Sequence, residues 1–280
     1  ITGEELNLSL QELPRKWHEI KRAGVTIALE RTVQEPLPGF YSIYLPTGQE
    51  TGSPVSVNGP FYGNLSRTNI NFSKNYNHLL LRKAVKLMVE MLNYISETGS
   101  SEDGTAVLDM LDCRDTSSIL IQLLDKELED LGAPLPDFKA VYTEIPEVAK
   151  LAGHELVPIS SIRILPESKQ PRHIFIPSRL TQVGGCFPAS IIAQNRDNAL
   201  SRIAERAGSS LTPQDAEIVA WIEKVAESLP KSDPNIDEWN TYYREVSDLN
   251  EILRFQNALR TCRFLLTEDQ RLVAADGDGP

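Results

Sequence analysis

A chain that carries "NYNHLLLRKAVKLMVEML" must build a long helix with one apolar side, and something must cover that side. Leu80, Ala84, Leu87, Met91 and Ile95 recur at spacings of three and four, and Met88 and Leu92 widen the stripe. A stripe this wide predicts burial against a sheet. The preceding residues supply one. "VTIALERTV" (Val25–Val33) and "FYSIYLP" (Phe40–Pro46) are rich in β-branched and aromatic residues and read as strands. In "PVSVNGPFYGN", Val55 and Val57 alternate, and Pro60 forces Gly59 out of the helical region. Upstream, "LPRKWHEIKR" predicts a short helix over residues 13–22, with Leu13, Trp17 and Ile20 on one side.

Beyond the long helix, Ser96–Ala106 is a polar, glycine-containing loop. A second helix is expected over Thr116–Leu131, with Asp115 as cap and Gly132 past its end. Strand-like pieces follow at Ala140–Tyr142, Glu155–Leu165 and His173–Pro177. After "PESKQPR" (Pro166–Arg172) helices dominate. One spans Ala189–Ala207 and stops at Gly208. The next has Thr212 as cap, Pro213 at its first position and Asp215 three residues after the cap, and runs to Leu229. A third covers Ile236–Leu259. The end, "CRFLLTEDQRLVAAD", reads as two strands about a turn at Glu268–Gln270. The fold class is therefore α+β. Residues 1–39 form closing elements of, or a linker from, another domain; 40–165 a mixed sheet-and-helix domain; 166–280 a mainly helical domain with a terminal β-hairpin.

The 280 residues include 41% hydrophobic ones, enough for a buried core, and no run approaches the ~18 apolar residues of a membrane span. The opening "ITGEELN" has neither an initial methionine nor a secretion signal, as expected of a piece of a longer protein. A net charge of −11 repels phosphate backbones, which argues against nucleic acid as a partner unless basic residues concentrate over Arg163–Arg179. Cys113, Cys186 and Cys262 are odd in number and far apart, which fits a reducing, cytoplasmic setting better than a disulfide scaffold or a CxxC metal site.

Familiar catalytic signatures are missing from the sequence. It contains no GxxxxGK[ST], GxGxxG or HExxH, and His18, His78, His154 and His173 lack ligand-spaced partners. "VGGCFP" (Val183–Pro188) reads as a tight turn with a small buried thiol, or as a backbone anion site. "DGDG" (Asp276–Gly279) echoes the start of a calcium loop but lacks the closing glutamate. No metal site is expected, and no self-contained catalytic constellation is present.

The stretch "FYSIYLPTGQETGSPVSVNGPFYGNLSRTNIN…NYNHLLLRKAVKLMVEML" resembles the segment just after the nucleotide-binding domain of sacsin-like proteins, which are GHKL ATPases. Their pattern is a strand ending in LP, then TG-x-P-V-x-V-N-G-x-F, an arginine-bearing loop, and an asparagine followed by leucines opening a helix. "RFLLTEDQRLVAAD" is similar to their LLT-x-D-G-x-L hairpin, with Gln270 in place of the glycine. The resemblance covers Phe40–Leu92, is weak over the helical remainder and is silent on Ile1–Val33. The family's catalytic glutamate, magnesium asparagine and DxGxG are absent. This chain would then be a transducer-like region that takes ATP and Mg only through a nucleotide-binding domain of its own protein, and hydrolyses nothing alone. Its action would be chaperone-like remodelling, or antiviral defence against phage if the source is bacterial.

The resemblance puts Arg67, in "GNLSRTNI", at the position of the arginine that relatives present to the terminal phosphate. A guanidinium there would stabilise charge on the transferring phosphoryl group. The other reading of Arg67 is a solvated loop residue. Asn75 and Asn77 either contact the cofactor or cap the helix. Arg82, Lys83 and Lys86 form a basic cluster that offers an interaction surface for the ATPase domain or a protein partner, or else a solvated helix face. A homodimer would also satisfy such a surface. Two other classes stay open: a stand-alone protein–protein scaffold, and a nucleic-acid-processing subunit of the gyrase or MutL type.

Overall fold

The structure, a computed structural model, describes residues 1–30, 35–64, 66, 68–98, 104–132, 139–142, 156–161, 163, 190–208, 210–232, 234–253 and 255–276. Contacts divide it into two units. The first contains the described residues of 1–142, 156–160 and 190–208. The second contains Ser161, Arg163 and the described residues of 210–276. The content is α+β, as the sequence indicates.

In the first unit, strands β1 (Thr26–Ala28), β2 (Phe40–Ile43), β3 (Leu45–Glu50) and β4 (Ser56–Asn58) form one mixed sheet in the order β1-β4-β2-β3. β4 runs antiparallel to β1 and parallel to β2, and β2 pairs antiparallel with β3. Alternation buries Tyr41 and Ile43 of β2 and leaves Phe40 and Ser42 half-exposed, the period expected of a strand with one covered face. The single strand expected over Phe40–Pro46 is broken. Tyr44 turns the chain at φ 64, its N–H donating to Asn58 Oδ1 at 3.2 Å, and β3 folds straight back. Val25–Val33 likewise shortens to β1, with Arg31–Val33 outside the described residues.

The long helix forms where its stripe predicts, as α2 (Asn75–Thr98). Its buried face contains most of the expected stripe and is broader. Leu80, Ala84, Met88, Leu92 and Ile95 are buried as expected and Leu81, Val85 and Val89 join them, whereas Leu87 is half-buried and Met91 is 36% exposed. The cause is that several neighbours cover it: α1 (Glu4–Leu10), β1, α3 (Gly104–Leu111) and α4 (Ile119–Asp130) all pack against it. Each fully buried Leu or Met contributes about 1.5–3 kcal/mol over an exposed one. Three more readings are corrected here. Helix α1 precedes the expected 13–22 helix, which shrinks to a turn at Arg15–Trp17. Helix α3 starts inside the expected Ser96–Ala106 loop and buries Val107, Leu108 and Leu111. The helix expected from Thr116 begins at Ile119, because Asp115 is spent on a turn, accepting from Ser117 N and Oγ.

Strands β5 (Lys139–Tyr142) and β6 (Leu156–Pro158) pair antiparallel, and the expected strand over Glu155–Leu165 gives way to a 3-10 turn at Ile159–Ser161. Helix α5 (Ser190–Arg206) packs on α3 and belongs to the first unit, although the division at 165/166 puts it with the helical remainder. His154, His173–Pro177 and Val183–Pro188 lie outside the described residues.

The second unit is a helical cluster closed by the C-terminal hairpin. Helices α6 (Asp215–Ser228) and α7 (Ile236–Leu253), the short α8 (Gln256–Leu259) and strands β7 (Arg263–Leu266) and β8 (Leu272–Ala274) surround Trp221, Ile222, Trp239 and Tyr242. The helix expected over Ile236–Leu259 is therefore described as two, α7 and the short α8, with Phe255 ahead of α8 non-helical. The cap of α6 is Gln214, not Thr212. It forms a capping box with Glu217, whose Oε1 also receives Arg163 Nη2 at 2.7 Å. That arginine holds the Glu217 carboxyl below the usual range. The hairpin turns at Gln270, which sits at φ 65, a left-handed conformation costing roughly 1–2 kcal/mol for an L-residue with a side chain. Gln270→Gly is expected to stabilise this unit by about 0.5–1 kcal/mol, seen as a higher urea midpoint at unchanged slope.

Candidate functional site

Within the stretch that carries the resemblance, residues 51–81 fold in three parts. In the first, the side chains of Thr51 and Ser53 are buried and gather the backbone around them. Thr51 Oγ1 lies 2.7 Å from Val55 O and 2.8 Å from Ser53 O, while Gly39 N donates to Ser53 O at 2.8 Å. A Cβ on Gly39 would stand 2.2 Å from Val55 O, so only glycine fits. Gly52, at φ +78, is pressed on Ser118, whose hydroxyl donates to Thr51 O, and Gly52 O accepts from Arg114 N at 3.0 Å. The glycine and serine richness here ties the sheet to the α3–α4 turn.

In the second part, Gly63 bridges Ile70, with room for no Cβ because Asn69 O would be 2.6 Å away. Asn64 closes the loop tip. Its Oδ1 accepts from Thr68 N at 2.9 Å and Asn69 N at 3.3 Å, and its Nδ2 donates to Thr68 Oγ1 at 3.0 Å. Arg67 belongs to this stretch of sequence and lies outside the described residues; Ser66 and Thr68 beside it are exposed.

The third part is the start of α2. Asn77 is completely buried there. Its Oδ1 accepts from Tyr62 N at 2.8 Å, and its Nδ2 donates to Tyr62 O and Asn71 O, both at 2.7 Å. It thus pins both arms of the loop to the helix. Asn75 is exposed at the first helical position, and the N–H of Tyr76 is taken by Glu12 Oε1 at 3.3 Å. Asn75 and Asn77 are therefore not brought together. Replacing Asn77 with Ala would leave Tyr62 N–H unpaired, while Tyr62 O and Asn71 O would each lose one donor and keep the N–H of Asn71 and of Lys74. A loss of about 1–3 kcal/mol is expected on urea unfolding. Asn77→Asp should not rescue it, since a carboxylate would face two carbonyl oxygens.

Arg82 and Lys83 both face Glu5 of α1, at 3.8 and 3.7 Å, in half-exposed pairs worth less than about 1 kcal/mol each. Lys86 is exposed. Tyr76, fully buried, has its hydroxyl pushed up to about 12 by desolvation.

A second polar assembly went unmarked in the sequence. Asp109 and Asp112 are each 1% exposed. Arg196 of α5 grips Asp109 with two bonds, Nε to Oδ1 at 2.9 Å and Nη2 to Oδ2 at 3.0 Å. Arg202 grips Asp112 likewise at 2.7 and 2.8 Å, and Arg114 Nε adds a contact at 3.3 Å. Arg206 Nη1 donates to Leu111 O at 2.8 Å, while its Nε lies 3.0 Å from Asp125 Oδ1, close enough for charge attraction but misaligned for a hydrogen bond. Desolvation raises the Asp109 carboxyl, with Arg196 opposing. The available sequence signal was "AVLDMLD", with two carboxylates three apart inside an apolar run, and arginines recurring through α5. With their oxygens held by guanidinium forks, these aspartates offer no free base and are structural.

Among the described residues, no group of three His, Cys, Asp or Glu is placed to hold a metal, and no helix is long and apolar enough to cross a membrane. Of the Arg163–Arg179 stretch only Arg163 is described, and it is paired with Glu217. No family model, no curated protein and no solved structure matches this chain.

Proposed function

We propose that this chain is the region of a sacsin-like GHKL ATPase that follows the nucleotide-binding domain, and that it converts nucleotide binding there into movement. ATP and Mg would be held by that domain. Arg67 would meet the terminal phosphate across the junction and stabilise the charge that builds up during transfer. One observation supports the reading: the described residues that flank Arg67 in the sequence are anchored, Thr68 and Asn69 by Asn64, and Tyr62 and Asn71 by buried Asn77. A phosphate sensor needs such anchoring, because a guanidinium accelerates transfer only when its position is set before the reaction.

A scaffold remains the second reading, favoured by Tyr44 and Leu45, which stand 76% and 71% exposed at the β2–β3 turn. The two separate on ATP turnover by a polypeptide that joins this chain to a GHKL nucleotide-binding domain of its own protein. The ATPase reading expects turnover only when both parts are present. Equal turnover by the nucleotide-binding domain alone would favour the scaffold.

A further inference from the structure

The overall charge of −11 is unevenly distributed along the chain. From Thr51 to Val89 the sequence contains no Asp or Glu, while Arg67, Lys74, Arg82, Lys83 and Lys86 all fall within it. The start of α2 belongs to this run, and an aromatic cluster gathers around it. Trp17 packs edge-on against Tyr62, with ring centres 5.4 Å apart and planes at 77°, and against buried Tyr76 at 5.7 Å. Trp17 and Tyr62 are both half-exposed. A parallel stack would cover a face of each ring, whereas the edge-on contact leaves both faces of one ring clear of the other. Tyr44 is 76% exposed and adds to the desolvation that pushes up the Tyr76 hydroxyl, which sets it near the same cluster.

Cations and neutral hydrogen-bonding groups accompany the rings. Arg15 and Lys16, both exposed, directly precede Trp17 in the 3-10 turn, and Lys74 is half-buried two residues before Tyr76. Ser66, Thr68, Asn69 and Asn71 are exposed between Tyr62 and α2. Of the carboxylates in the N-terminal segment, Glu12 accepts from Tyr76 N and Glu5 faces Arg82 and Lys83, while Glu4 and Glu19 are exposed. An acidic peptide would use the cations but has no general need of open rings. A single strand uses both, since every base has a π-face and phosphates accept from Lys, Arg, Ser, Thr and Asn. We propose that this aromatic and basic surface of the first unit binds single-stranded nucleic acid without sequence preference, bases stacking on Trp17 and Tyr62 and phosphates meeting Arg15, Lys16 and Lys74. The inference concerns binding alone and does not rest on the ATPase reading.

The test is fluorescence anisotropy of a labelled oligo(dT) of about 15 nucleotides, titrated with the full chain in about 50 mM salt. A Kd of about 1–100 μM is expected, with a log–log salt slope of about −2 for three phosphate contacts. Binding should quench Trp17, read as the difference in emission change between the native chain and W17F. R15A/K16A removes two exposed cations, and should weaken binding at least about fivefold and flatten the slope by about 1. Trp17→Leu should also weaken binding at least about fivefold through lost stacking. Should Trp17→Leu fail to fold, R15A/K16A and the W17F comparison still decide. Lys126→Ala, an exposed change on α4, should leave the Kd as it was. The proposal is overturned by no binding at about 100 μM chain, by binding that leaves Trp17 emission unchanged, or by affinity indifferent to R15A/K16A. Competition by poly-L-glutamate equal to that of unlabelled oligo(dT) would also overturn it, and would assign the surface to an acidic protein.

Discussion

Arg196→Ala is expected to destabilise the first unit by about 3–5 kcal/mol, because it strips the partner from a carboxylate sealed in the interior. Asp109 is 1% exposed and takes two bonds from Arg196. Once the guanidinium is gone, Asp109 must either keep an uncompensated charge or bind a proton, and burial already pushes its carboxyl upward. The informative control is the double replacement Asp109→Leu with Arg196→Met, which exchanges the pair for apolar groups of similar reach. That variant should recover most of the loss, since paired charges gain little over good packing once both are desolvated. Circular dichroism across a urea titration reads both. A single variant within about 1 kcal/mol of the native chain would show that the fork does not carry this load.

Arg67→Ala, made in a polypeptide that also carries the nucleotide-binding domain, is expected to lower ATP turnover by at least about 100-fold. Nucleotide affinity should change little, because the arginine is proposed to act on charge that develops during transfer and not on the ground state. Arg67→Lys should recover only part of the rate, since a point charge cannot reproduce a planar fork. Turnover and binding, measured on the same preparations, separate the two effects. Unchanged turnover would remove Arg67 from the mechanism and leave it a loop residue. A matching fall in affinity would make it a binding group instead.

Local patterns in this chain were readable where one physical requirement dominated. The α2 register follows from its leucines, and the C-terminal hairpin from apolar runs about "TEDQ", where Gln270 stands at the left-handed position that favours glycine. The glycines at 39, 52 and 63 mark close approaches whose partners lie elsewhere in the sequence and could not be named from it. What escaped depends on residues distant in sequence. The break at Tyr44 is secured by Asn58, and the burial of Asp109 is tolerable only because Arg196 arrives 87 residues later. A carboxylate in an apolar helix looks like a local fault until its partner is known. The same reason hid the membership of α5, whose Arg196 reaches Asp109 of α3 and whose Arg202 reaches Asp112 just past it. Asn77 was legible as a helix-opening asparagine, but its three bonds to Tyr62 and Asn71 make it the base of the loop and not a cap.

The most direct measurement is steady-state ATP turnover by the purified 280-residue chain, compared with the same chain joined to the nucleotide-binding domain. The proposal expects none above background from the chain alone, and turnover from the joined protein that Arg67→Ala abolishes. Nucleotide consumed by the isolated chain, or turnover in the joined protein indifferent to Arg67, would contradict it.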